Sequence, residues 1–156
     1  MSKPLLGIVG GLGPLASAYF YELITQHTKA QKDQDHIDII LSSRASTPDR
    51  TAYITGKSPD CPLPYMIEDA VRLEQYGADA LVIPCNTAHY FIDEVRNSVK
   101  IPVPSIIEET SAYLKKAGYK NVQGRMFPGL RHEILLEKNR EEIFEIIRKE
   151  AFEPNL

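Results

Sequence analysis

Cys85 stands where the apolar run of residues 80–84 ends and the polar pair Asn86 and Thr87 begins. That address suits chemistry. Asn86 or Thr87 can cap a helix there, and the first N–H groups of a helix have no partner within it, so their partial positive charge favours a thiolate just upstream. The competing reading is a thiol that simply closes a strand in the core. His89, one helical turn after Cys85, either polarises the thiol or covers the helix, and the second is expected. In "STPDRT" the guanidinium of Arg50, between Asp49 and Thr51, offers two parallel donors that match a carboxylate. A solvated loop arginine is its ordinary alternative. Cys61, between Asp60 and Pro62, has no helix terminus beside it and is read as incidental.

The segment "GGLGPLA" contains Gly11-x-Gly13-x-x-Ala16, close to a dinucleotide-binding fingerprint. Three readings are open: a structural turn, a NADP-binding module of Rossmann-like design, or a turn whose N–H groups, from Gly11 onward, face some other small anion. The nucleotide reading is weakened because "IDIILSSR" ends in serines and Arg44 instead of an acidic residue, although an arginine can receive a 2′-phosphate. Pro14 also removes one backbone donor. Phosphate loops of the Walker type and Gly-x-Ser-x-Gly elbows are absent, and the scattered histidines offer no ligand spacing, so no metal is expected.

These residues need a scaffold, and the apolar pattern supplies one. Residues 5–9, a run from His36, residues 80–84 and "KIPVPS" read as strands, with helices between them marked by Leu15, Ala16, Tyr19, Phe20, Leu23 and Ile24, by Ile67, Ala70 and Val71, and by residues 86–99. Pro14 suits a first helical turn, Gly77 a left-handed cap, and Ser105 with Glu108 a capping box. The pattern is that of an α/β fold: an open parallel sheet of about four strands with flanking helices. Its strand ends share one edge, where "GGLGP", the long loop after Ser43 and "CNTAH" meet. The alternation stops near residue 120. Residues 1–120 are read as the α/β domain, and residues 121–156 as a different segment in which the fifth strand expected after Val122 is missing. It ends in an amphipathic helix, capped by Asn139 and Glu142, whose stripe of Ile143, Phe144, Ile147 and Ala151 packs on the domain or on a second copy.

The chain has 156 residues, is 43% hydrophobic and 25% charged, and carries a formal charge of -3, as an ordinary soluble domain does. No nucleic-acid or membrane partner is expected. Glycines interrupt the N-terminal segment before a signal-peptide core of useful length forms, which points to the cytoplasm. Two cysteines without Cys-x-x-Cys spacing argue against a disulfide framework and a zinc ribbon, and both are expected to be free thiols.

Taken together, "GIVGGLGP", "TPDRT", "GADALVIPCNTAHYF" and "IPVPSIIEET" resemble the cofactor-independent aspartate/glutamate racemase family, most closely its aspartate racemase branch, over about residues 4–120. The resemblance implies a flavodoxin-like half of that fold and a pyridoxal-free racemase using no cofactor. Its partner would be a small-molecule substrate, aspartate or glutamate. On this resemblance Cys85 matches the first of two acid/base cysteines, Asn86 and Thr87 match substrate-contacting residues, and Arg50 matches the arginine that grips the carboxylate, with Asp49 beside it. Gly11 and its turn would lie against the substrate from the other side. Family members carry a second α/β half whose strand end presents the second cysteine in a Gly-Cys-Thr-Glu context, together with a lysine. This chain contains no such context, and Cys61 does not match it. A shortened racemase is therefore expected, with a homodimer that brings two Cys85 residues together as one route to a complete site. A non-catalytic amino-acid-binding remnant is the alternative.

Overall fold

The strand β1, Leu5–Gly10, takes the centre of the sheet because its inward residues, Ile8 and Val9 above all, tolerate burial on both faces. It pairs in parallel with β2, Asp38–Ser43, on one side and with β3, Ala80–Val82, on the other. The order is β2-β1-β3. The computed structural model describes residues 3–119 together with Glu141 and Glu145. The strand expected after Val122, the terminal helix from Asn139 and the boundary near residue 120 lie outside the described residues.

Between β1 and β2 runs α1, Pro14–His27, with its proline in the first turn as expected. The connection from β2 to β3 carries a five-residue helix, α2, Arg50–Ile54, and then α3, Leu63–Tyr76, which Gly77 closes at φ 108°. Right-handed crossovers put α1 and α3 on opposite faces, since the chain steps from β1 outward to β2 and then back across to β3. That reversal opens a crevice between the C-terminal ends of β1 and β3. The helix α4, Ile92–Ser98, packs against α3, and α5, Ile106–Lys116, follows.

The apolar core lies on the α3 and α4 side, where Met66, Ala70, Leu73, Phe91 and Val95 meet Val9 and Leu81 of the sheet and Ile83 just after it. The α1 stripe behaves differently from its spacing: Ser17 is the buried residue of this helix, while Leu15 is 83% and Tyr19 58% exposed. Nor does α5 bury any residue, and its Tyr113 is 72% exposed.

Three strands, not about four, form the sheet among the described residues. The segment "KIPVPS" lies alongside β3, and the N–H of Leu81 donates to the carbonyl of Pro102 (2.9 Å). A parallel bridge at this register needs a second bond, from the N–H of residue 104 to the carbonyl of Leu81. Residue 104 is proline and has no hydrogen to give. The outward carbonyl of Val103 is instead taken by the Nε of Arg96 (2.9 Å), whose two Nη atoms hold Glu108 of α5 (3.0 and 2.7 Å).

Candidate active site

The three strand ends do converge. Gly11, at φ 78°, lies so close to the Arg44 backbone after β2 that an added Cβ would sit 2.4 Å from the Arg44 nitrogen. Tyr53 of α2 in turn stacks at 5.9 Å between ring centres on Phe91, in the turn after β3. The glycine turn, the loop with α2 and the segment after β3 thus form one continuous rim.

On this rim the backbone of Gly11 serves the fold: its N–H donates to Ser17 Oγ (3.1 Å). Arg44, the residue that a NADP site would use for a 2′-phosphate, is committed to acidic neighbours. It pairs with Glu68 (2.6 Å) and with the buried Asp69 (2.8 Å), and its guanidinium lies 5.8 Å from the centre of the Tyr65 ring. The hydrogen bond with Glu68 raises the Arg44 pKa above its usual value and lowers that of Glu68 below the carboxylate range.

Arg50 opens α2 and is half-buried. Its Nη1 donates to the carbonyls of Pro48 (3.0 Å) and Thr47 (3.4 Å), which fixes the plane of the guanidinium. Its Nε is buried with no hydrogen-bond partner among the described residues. A rigid guanidinium with an unspent donor is equipped to take an anionic group. Asp49 is occupied beside it, since its carboxylate caps α2 by accepting from the Ala52 N–H (2.8 Å).

Cys85 is a free, half-buried thiol at the margin of the core. Its N–H donates to the carbonyl of Ile83 (2.8 Å), a tight turn that ends β3 at Val82, two residues earlier than its apolar pattern suggests. The helix expected over residues 86–99 is divided into a 3-10 turn, Thr87–Phe91, and α4. Asn86 precedes that turn with a helical backbone (φ −59°, ψ −46°) and no side-chain cap bond, because a capping residue needs the extended backbone that directs its oxygen at the first N–H groups. Thr87 is half-buried next to it. His89 neither covers the helix nor meets the sulfur. It is 3% exposed, its Nδ1 lies 2.9 Å from the Cys85 carbonyl oxygen, and its Nε2 accepts from the Ile106 N–H (3.1 Å).

A cavity of about 350 Å³ adjoins this rim between α1, β3 and the start of α5. Tyr19, Phe20, Leu23 and Ile106 make it almost wholly apolar. Pro84 and Asn86, on either side of Cys85, line it. On the α2 side the neighbouring Cys61 pushes the phenol of Tyr53 above the ordinary tyrosine range. Residue spacing gave no sign of that pairing. Among the described residues, no group of three His, Cys, Asp or Glu side chains is placed to hold a metal ion, and no helix is long and apolar enough to cross a membrane.

The family described as Asp/Glu/Hydantoin racemase matches residues 9–123. The broad specificity amino-acid racemase RacX of Bacillus subtilis (strain 168) is 26% identical over 124 residues, which is 68% of this chain and 47% of RacX. The structure of an aspartate racemase from Picrophilus torridus is 34% identical with a TM-score of 0.69, over 76% of this chain and 50% of its own. An aspartate racemase homologue from Pyrococcus horikoshii OT3, at 24% identity, shares the fold with a TM-score of 0.62 over 76% of this chain and 50% of its own. This chain spans about half the length of these relatives.

Proposed function

Because the chain belongs to the Asp/Glu/hydantoin racemase family, we propose that it acts on the α-proton of a free amino acid by cysteine acid/base chemistry, with Cys85 as the base. One observation carries this reading: Cys85 sits on the strand-end rim that also holds the glycine turn and the helix opened by Arg50. The substrate carboxylate would meet Arg50, with Asn86 and Thr87 contacting its amino-acid moiety and Gly11 shaping the opposite wall. Asp49 contributes by holding α2, and therefore Arg50, in place. An acidic amino acid, aspartate or glutamate, is the proposed substrate.

The step is a proton transfer. The Cys85 thiolate takes the α-hydrogen as a proton, the electron pair stays on the substrate and delocalises into its carboxylate, and the resulting thiol returns a proton to the same face. Inversion requires a donor on the other face. Cys85 alone therefore exchanges the α-proton with solvent and keeps the configuration, while two chains pairing Cys85 against Cys85 would invert it. Both cysteines are free thiols, and the cytoplasm, a reducing compartment, would keep Cys85 in the form the reaction uses.

The test is to incubate L- and D-aspartate and glutamate with the protein in D2O, following α-deuteration by NMR and configuration by chiral chromatography. Deuteration with retention supports a single working Cys85, and inversion whose specific rate rises with protein concentration supports the paired site. Folded protein that exchanges neither substrate overturns the reading.

A further inference from the structure

We propose that His89 is the positioning residue of Cys85, its neutral imidazole tying the Cys85 carbonyl to the first N–H of α5. The inference rests on the proposed role of Cys85, and it starts from two hydrogen bonds. A backbone carbonyl can only accept, so the ring nitrogen 2.9 Å from the Cys85 oxygen must carry a hydrogen. A backbone N–H can only donate, so the nitrogen 3.1 Å from the Ile106 nitrogen must be bare. Both conditions together select one state: neutral, with the proton on Nδ1. With His89 3% exposed, water cannot substitute for either partner.

The link matters because of what Cys85 lacks. It lies beyond the last residue of β3, outside the ladder, and its N–H spans only the short turn to Ile83. The bond from His89, four residues on, is the side-chain tether to its carbonyl. Through Ile106 that tether reaches α5, whose first turn is held again by Arg96 on Glu108. A base must stand within a fraction of an ångström of its working position, and a displacement of about 1 Å costs on the order of 100-fold in rate. His89 thereby couples the place of the sulfur to the α5 terminus without touching the sulfur.

Amide substitutions separate the two bonds. In His89→Asn the side-chain amide nitrogen reaches the Nδ1 position and keeps the donor to Cys85, whereas in His89→Gln the amide oxygen reaches the Nε2 position and keeps the acceptor for Ile106. Expected for His89→Leu is a loss of about 10- to 100-fold in kcat for α-deuteration with KM changed less than about 2-fold. Recovery should be nearly full in His89→Asn and slight in His89→Gln. In the unsubstituted protein, ring 15N shifts should report a protonated Nδ1 and a bare Nε2. Alkylation by iodoacetamide reads the position of the thiol without any substrate: Cys85 should react several-fold faster in His89→Leu and His89→Gln than in His89→Asn, with Cys61 unchanged as the internal reference. A protein that exchanges no α-proton loses the racemase reading, yet the 15N and alkylation results still decide this one. A proton on Nε2, or Cys85 alkylation equal in His89→Asn and His89→Gln, overturns it.

Discussion

Cys85 and Arg50 divide the proposed work between a group that moves a proton and a group that holds charge still. Cys85→Ser keeps the size and replaces the sulfur with a hydroxyl that stays protonated, so α-deuteration should fall about 10²- to 10⁴-fold while the protein stays folded. Arg50→Lys keeps the charge and removes the planar pair of donors. Its KM for the amino acid should rise about 10-fold or more, with the larger part of the effect on binding, as measured by initial rates across substrate concentration. Both proposed roles start from features written locally in the sequence: a thiol at the end of an apolar run, a guanidinium in a loop of turn formers. The bonds of Asp49 and His89, and the lack of a cap bond from Asn86, were not legible there. Whether a short polar side chain caps a helix depends on the backbone angles of that one residue, and whether a histidine meets a sulfur or a carbonyl depends on partners such as Ile106, 17 residues away.

At the level of elements, two left-handed glycines of different surroundings make a comparison. Gly77 closes α3 with nothing within 4 Å of an added Cβ, whereas at Gly11 that atom would strike the Arg44 backbone. Gly77→Ala should cost roughly 1 kcal/mol from backbone strain, and Gly11→Ala should cost more than about 3 kcal/mol, because the two loops must part. Urea denaturation of both variants checks the order. Ser105 accepts from the Ile107 N–H (3.3 Å) to start α5, so Ser105→Ala should lose about 1 kcal/mol in the same experiment. Glu108 leaves the expected capping box half built, because Arg96 claims its carboxylate. Strand and helix order was readable from periodicity. The five-residue α2 and the divided helix after Cys85 were not, since neither is long enough to show a period.

Across the whole molecule, acid sensitivity has two identified sources. Arg44 and Arg96 hold the carboxyls of Glu68 and Glu108 below their usual range, so each binds a proton less readily folded than unfolded. Their contribution is present above the unfolded carboxylate range and disappears as pH falls through the lowered folded values. Thermal melts should show the midpoint falling below about pH 5, and the decline should be shallower in a Glu68→Gln, Glu108→Gln double variant. The same Arg96 has a consequence for how molecules meet one another. With Pro104 unable to complete a bridge to Leu81 and Arg96 seated on the Val103 carbonyl, the β3 flank is a poor template for backbone recruitment. Among the described residues β2 is paired on one side only, with a row of amides and carbonyls along its outer flank. Edge pairing of this sheet would therefore join β2 to β2 and end at two copies, because each copy turns its proline-blocked flank to the next.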